Sequence, residues 1–245
     1  MATVAKAKSC GPDFDRWWSR RGRWVEAPNL RRSGESGVER ITDGQRLLYC
    51  KRQQGHLYRS LRYPLGRPTI QRETQALTAF RSLNVRVPAV VYSGTCNRNS
   101  RWRGLLVTEE LPGYTSLDNW YKSSVPLIDE VGEKMMQTLA ETLTCLHRRR
   151  WQHGCLYPKH IFVKVDKTDG DADVQVAVLD LEKSRRRWTR GAAARHDLQQ
   201  LQRHWDFLPV THWQVFINSY KSLVNLHLWA SVLLASQRLV RLSNI

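Results

Sequence analysis

Apolar residues along this chain fall into two regimes: short runs closed by turn residues up to about position 112, and helical stripes beyond it. The run Arg46-Leu-Leu-Tyr-Cys-Lys-Arg follows a turn at Asp43-Gly44 and reads as a strand. With the glycine-bearing segment Arg31 to Val38 it predicts an antiparallel hairpin whose glycines sit near one end. After Pro68, the spacing of Ala76, Leu77 and Phe80 predicts a helix over 69–83. Glu73 precedes these residues by three, four and seven positions, which puts a carboxylate on the buried stripe. Taken alone, such a Glu reads as a helix-edge side chain whose stem packs while its head reaches water. Two further strands are expected at 87–94 and 102–113, so this half is a small sheet with one helix.

From 129 to 150 the stripe Val131, Met135, Leu139, Leu143 and Leu146 predicts a long helix. The runs 161–165 and 175–179 then read as a strand pair, and helices follow at 193–203 and near the C-terminus, including 224–242. That last helix has a broad apolar face, read as core. Near the start, Trp17, Trp18 and Trp24 stand among Arg16, Arg20, Arg21 and Arg23. Stacking bases while neutralising phosphates would use that mixture, but a short amphipathic helix packing its Trp face on the domain is the commoner explanation. There is no internal repeat and no low-complexity tract.

The 245 residues leave room for one or two domains, and ten Trp, eight Tyr and five Phe supply enough large apolar residues to exclude disorder as the dominant state. With 39 basic against 22 acidic residues the net charge is +17, so polyanions are the expected partners: nucleic acid, anionic lipid or a phosphorylated glycan. Most of the basic residues are Arg, whose planar fork suits phosphate. The five cysteines (Cys10, Cys50, Cys96, Cys145, Cys155) are odd in number and scattered, which is not a disulfide framework and fits a reducing compartment. No apolar segment resembles a signal peptide or a membrane span, so a cytoplasmic location is expected, with peripheral contact to an anionic leaflet permitted by the charge.

In chain order the features form one constellation: a Gly-bearing hairpin, Lys51 on a strand, Glu73 in the following helix, a His-containing loop after a long helix, and Asp180 ending the next strand pair. This order is how a protein-kinase-like fold arranges the ATP phosphates, their Lys, its Glu partner and the metal. It predicts a two-lobed α+β fold, with a small antiparallel-sheet lobe over 1–112 and a mainly helical lobe over 113–245.

The run His153-Gly-Cys-Leu-Tyr-Pro-Lys-His-Ile-Phe-Val, followed by Val178-Leu-Asp-Leu-Glu-Lys-Ser-Arg-Arg-Arg, resembles the lipopolysaccharide kinase superfamily, especially its InaA branch. Arg31-Arg-Ser-Gly-Glu-Ser-Gly-Val, Arg62-Tyr-Pro-Leu-Gly-Arg-Pro-Thr-Ile and Leu105-Leu-Val-Thr-Glu extend the likeness over most of the chain. The resemblance implies phosphoryl transfer from ATP, with Mg²⁺, to a hydroxyl of an inner-core lipopolysaccharide sugar (Kdo or heptose) at a bacterial cytosolic site facing the inner membrane. Lys51 becomes the α/β-phosphate contact and Glu73 the carboxylate that orients it. Asp180 becomes the principal metal ligand with Glu182 nearby, and His160 takes the place of the Asn that binds a second metal. Gly34 and Gly37 would admit phosphate to backbone amides, and Glu109 and Glu110 fall where the chain meets adenine. Asp197 resembles the helix Asp that hydrogen-bonds the catalytic-loop backbone, and it and His153 are given structural roles.

One departure bears on activity. The position of the Asp that accepts the substrate hydroxyl proton is Cys155. A thiol with an ordinary pKa near 8.5 is mostly neutral at pH 7. A slow kinase and an inactive pseudokinase serving as a nucleotide- or glycan-binding stress-response module are therefore both retained. The interval from Asp180 to Asp197 is too short to seat a peptide and carries Arg185, Arg186, Arg187 and Arg190, which suits an anionic glycan. Nucleic acid is set behind that partner. The Cys145, His147, His153, Cys155 and His160 group lacks the paired spacing of a zinc module. Asp169, Asp171 and Asp173 alternate as in a calcium loop, but Val174 stands where that loop needs Gly.

Overall fold

The computed structural model describes residues 10–31, 34–61, 63–123, 128–168, 171–205 and 208–224. The chain divides into two compact units, Met1–Thr78 with Pro88–Pro112 and Ala79–Val87 with Gly113–Ile245.

The first unit opens with helix α1 (Pro12–Ser19), started by a proline that loses no hydrogen bond there and by Asp13 and Asp15 facing the positive end of the helix. It is followed by strands β1 (Arg23–Arg31), β2 (Gly34–Asp43) and β3 (Arg46–Gln54), a hairpin of β4 (Leu57–Ser60) and β5 (Tyr63–Pro68), helix α2 (Thr69–Ser82), and strands β6 (Val90–Arg98) and β7 (Arg101–Glu109). Five of the strands form an antiparallel sheet in the order β1-β2-β3-β7-β6. Alternation along β3 sends Leu48 and Cys50 into a core with Phe14 and Trp17 of α1 and with Ile41, Leu105 and Val107. The opposite face of β3 meets α2, where Gln53 accepts a hydrogen bond from Thr69 at 2.6 Å.

Two expectations need correction here. The Trp-rich start is a helix only to Ser19, after which Arg23–Arg31 is an edge strand. The expected hairpin is β2 with β3 across the Asp43-Gly44 turn, with Gly34 and Gly37 near its far end, where β2 also pairs with β1. Cys10 and Cys96 form a disulfide, with Cα atoms 5.4 Å apart. Their 86-residue separation hid the pair from spacing alone, and the docking of α1 against the sheet brings them together.

The second unit contains β8 (Thr115–Ser116), α3 (Leu117–Ser123), α4 (Ile128–Arg148), β9 (Trp151–Gln152), β10 (Ile161–Thr168), β11 (Asp171–Val178), β12 (Arg185–Arg186), α5 (Arg190–Gln202) and α6 (Val210–Leu223). All five residues of the expected α4 stripe are at most 1% exposed. Gly132 lets the α6 residue His212 approach α4 closely, and Tyr121 of α3 hydrogen-bonds His212 Nδ1 at 2.7 Å. The hairpin of β10 and β11 is antiparallel throughout, and β9 pairs with β12. The helix expected over 224–242 lies outside the described residues apart from Val224, as do Asp169 and Gly170 of the acidic tip. Among the described residues no helix is long and apolar enough to cross a membrane.

Candidate active site

In the first unit, Lys51 Nζ lies 2.8 Å from Glu73 Oε2, with side chains 15% and 7% exposed. Two local periodicities produce this pair. Lys51 sits on the strand face opposite Cys50, and Glu73 sits one turn before Ala76 and Leu77 on the buried side of α2. Taking two charges out of water is costly, and a buried ion pair is a weak source of stability.

Gly34 and Gly37 stand where neighbouring parts of the same unit come close. A Cβ on Gly34 would stand 2.7 Å from the Gly55 and His56 backbone, and one on Gly37 would stand 2.8 Å from the Trp24 ring. Glu109 and Glu110 end β7 with their amides engaged, donating to the Ala89 and Leu47 carbonyls at 2.9 and 3.0 Å. Their carboxylates reach Arg46 at 3.4 Å and the Tyr49 hydroxyl at 3.3 Å.

In the second unit, the loop after β9 is fastened by Asp197 of α5, which is fully buried. Its carboxylate accepts the His153 and Gly154 amides at 2.6 and 2.9 Å, His147 Nε2–H at 3.2 Å and His196 Nδ1–H at 3.3 Å. Burial works to raise its pKa, but the hydrogen bonds from His147 and His196 outweigh it and hold the carboxyl below its usual range. His147 Nδ1 in turn accepts the Tyr220 hydroxyl at 2.7 Å. Gln200, one turn beyond Asp197, accepts the Leu156 amide at 2.8 Å, and Ser184 Oγ donates to the His153 carbonyl at 2.7 Å. Gly154 adopts φ +83°, and a Cβ there would stand 2.6 Å from the Lys183 carbonyl, so no other residue fits. Sequence reading weighed His147 only as a zinc-type ligand and did not single out Tyr220 or Gln200; the i, i+3 spacing of Asp197 and Gln200 was the available signal.

His153 is buried, its Nδ1 accepts the Cys155 amide at 3.2 Å, and burial pulls its pKa down to about 4. It is a neutral part of the loop. Cys155 is 3% exposed, and its thiol is pushed up to about 11, first by burial and then by the charge of Asp180, with Lys183 acting weakly in the other sense. Lys183 is a neighbour of this thiol that sequence reading placed only in the basic loop.

His160 ends a short 3₁₀ turn, Pro158–His160. Its Nδ1 is 2.8 Å from the Cys155 carbonyl, which can only accept, so Nδ1 carries a proton. Nε2 is then the nitrogen facing Asp180 Oδ2, at 3.6 Å. Asp180 holds a left-handed conformation, φ 57° and ψ 62°, at the start of the 3₁₀ turn Leu181–Lys183 that carries Glu182. Sparsely populated backbone of this kind clusters at functional sites. No group of three or more His, Cys, Asp and Glu residues is poised to hold a metal among the described residues. Mg²⁺ takes one or two protein groups with the rest of its shell from phosphate and water, and Asp180 with Glu182 is a donor set of that size.

Arg185 and Arg186 form β12 and are exposed, Arg187 donates its amide to the Arg150 carbonyl at 2.7 Å, and Arg190 begins α5, where Thr189 caps the Ala192 amide at 3.1 Å. The backbone of the basic segment is therefore fixed while its guanidinium groups at 185, 186 and 190 face solvent.

A five-stranded antiparallel sheet with a Lys–Glu pair, followed by a unit whose His-containing loop is tied to a buried helix Asp, is the architecture of the protein-kinase-like fold. The chain belongs to the lipopolysaccharide kinase (Kdo/WaaP) family, whose model matches residues 15–220. It is 41% identical over 204 residues to Protein InaA of Escherichia coli (strain K12), covering 82% of this chain and 92% of that protein. A solved structure of WaaP in complex with acyl carrier protein has the same fold, with a TM-score of 0.68 at 20% identity over 92% of this chain and 90% of that one.

Proposed function

We propose that this protein is an ATP- and Mg²⁺-dependent phosphotransferase acting on a hydroxyl of an inner-core sugar of lipopolysaccharide. The observation that carries this reading is the 2.8 Å contact of Lys51 with Glu73, a buried pair better suited to aiming an amine than to stabilising the sheet. Bound Mg²⁺-ATP would supply the phosphoryl group and the divalent charge. Lys51 contacts the α- and β-phosphates, and Glu73 fixes its rotamer. Asp180, His160 and Glu182 would hold the metal, and backbone groups near Glu109 and Glu110 would meet adenine. Arg185, Arg186, Arg187 and Arg190 bind the anionic glycan. Positioning and charge neutralisation account for most of the acceleration in this chemistry, so it proceeds without a carboxylate at position 155.

A second reading has its own support: the buried, neutral Cys155 suits a protein that binds nucleotide or glycan without turnover. The test measures phosphate transfer to delipidated core oligosaccharide together with melting temperature in Mg²⁺-ATP. At 100-fold excess over Kd, binding stabilises by about 2.7 kcal/mol, a rise of roughly 5–10 °C. Lys51→Ala should reduce that rise and Asp180→Ala should abolish transfer. Transfer that survives Asp180→Ala removes the metal assignment, and a full rise without transfer establishes the second reading.

A further inference from the structure

The β4–β5 hairpin lies between β3 and α2 in the chain, and the phosphotransfer reading gives it no role. Its base is rigid. Gly55 donates its amide to the Trp102 carbonyl at 2.8 Å, Thr69 donates to the His56 carbonyl at 3.2 Å, and His56 Nδ1 meets Thr69 Oγ1 at 3.0 Å. Two leucines stand wholly outside, Leu61 after β4 at 105% and Leu65 on β5 at 90% exposed. Tyr63, Leu65 and Arg67 share one face by strand alternation. Behind the tip lies a layer of aromatic rings with arginines over them: Arg67 lies 5.1 Å over Tyr63 and 5.9 Å over Trp102, Arg72 lies 4.7 Å over Tyr58, and Tyr58 meets Tyr63 edge-on at 6.2 Å. Between His56 and Arg72 the sequence has Arg59, Arg62, Arg67 and Arg72 and no Asp or Glu.

We propose that this hairpin docks the protein on an anionic lipid bilayer, with Leu61 and Leu65 entering the acyl boundary and the tyrosine–arginine layer resting among the headgroup phosphates. The layering matches the depth order of a membrane interface: aliphatic side chains inward, aromatic rings and basic groups at the headgroups. Arginines over aromatic rings keep their charge beside an apolar surface because guanidinium is weakly hydrated. The uniform positive charge selects an anionic surface. A protein partner fits less well, because fully exposed leucines offer no partly buried platform for an anchor, and leucine is under-represented among interface hot spots. This inference does not depend on phosphoryl transfer.

The test is co-sedimentation with vesicles of mixed phosphatidylglycerol and phosphatidylcholine against vesicles of phosphatidylcholine alone. The wild-type protein should partition onto the mixed vesicles and lose that binding with added salt. Leu61→Asp/Leu65→Asp should lower partitioning by about tenfold or more, given the free energy of burying each leucine, at an unchanged melting temperature. Leu61→Phe/Leu65→Phe should bind at least as well as wild type. Equal partitioning of wild type and the double Asp variant overturns the proposal, as does equal binding to neutral vesicles. A self-association that the double Asp variant abolishes, with both vesicle types ignored, overturns it in favour of a second copy of the chain.

Discussion

Replacing Cys155 by Asp tests whether the missing carboxylate limits the rate. Burial first and the Asp180 charge second push the thiol up to about 11, so at pH 7 about one molecule in ten thousand carries a thiolate. A base populated at that level contributes almost nothing, and Cys155→Ser should leave phosphate transfer within about threefold of wild type. For the same reason the wild-type rate should stay nearly level from pH 7 to 9, where a working thiolate would raise it about tenfold per unit. A positioned general base is worth about 10² to 10⁴ in rate. An Asp at 155 would itself be held partly protonated by the burial and by Asp180, so a gain of about 10- to 100-fold is expected, growing as pH rises through its elevated pKa. The assay is initial-rate phosphate transfer to delipidated core oligosaccharide at saturating Mg²⁺-ATP. A loss of more than tenfold in Cys155→Ser, or a wild-type rate that climbs tenfold per pH unit, would refute the reasoning and make the thiolate the base.

Two further predictions concern the second unit. Asp197→Ala strips two buried amides and His147 of their acceptor, which should cost about 3–5 kcal/mol and lower the melting temperature by roughly 8–15 °C; a circular-dichroism melt within about 2 °C of wild type contradicts it. His153 stays neutral in the folded state down to about pH 4 but takes up a proton near 6.5 when unfolded. The unfolded state thus binds more protons between pH 6.5 and 4, and stability falls by up to roughly 3 kcal/mol as pH drops through that window. Below it, the lowered pKa of Asp197 adds a further loss in the same direction. Melts from pH 7 to 4.5 should show the decline, and a flat profile counts against it.

What could be read from the sequence was what local period sets. The α4 stripe, the α2 helix with its Glu73 and the β10–β11 pair follow from spacing within one element, and the structure has them within a few residues. Strand β1 escaped because it is an edge strand interrupted by Pro28, with Trp24, Val25 and Leu30 exposed at 45%, 55% and 79%, so no alternation marks it. The β4–β5 hairpin escaped for a related reason: its leucines point to solvent. The clamp on the His153 loop joins positions 44, 50 and 73 residues apart, and the Cys10–Cys96 disulfide joins positions 86 apart. Such pairings depend on how helices dock on sheets, which no window of the sequence contains.

Strand β3 shows how two similar features acquire different meanings. Lys51 and Arg52 are neighbours, each beside a buried carboxylate, Glu73 and Glu39, at 2.8 Å. Arg52 also donates to the Trp17 and Arg20 carbonyls, and Glu39 accepts the Gly22 amide at 3.0 Å. That pair closes the end of α1 onto the sheet, and its backbone partners offset the desolvation of both charges. The Lys51–Glu73 contact links a strand to a helix through side chains, where an apolar pair of similar volume could do as well for stability. Because side chains alternate along a strand, a one-residue slip of β3 against β2 and β7 would exchange the two arginine and lysine environments and bury the wrong cation. The ladders on both sides of β3 therefore serve the candidate site as much as the core.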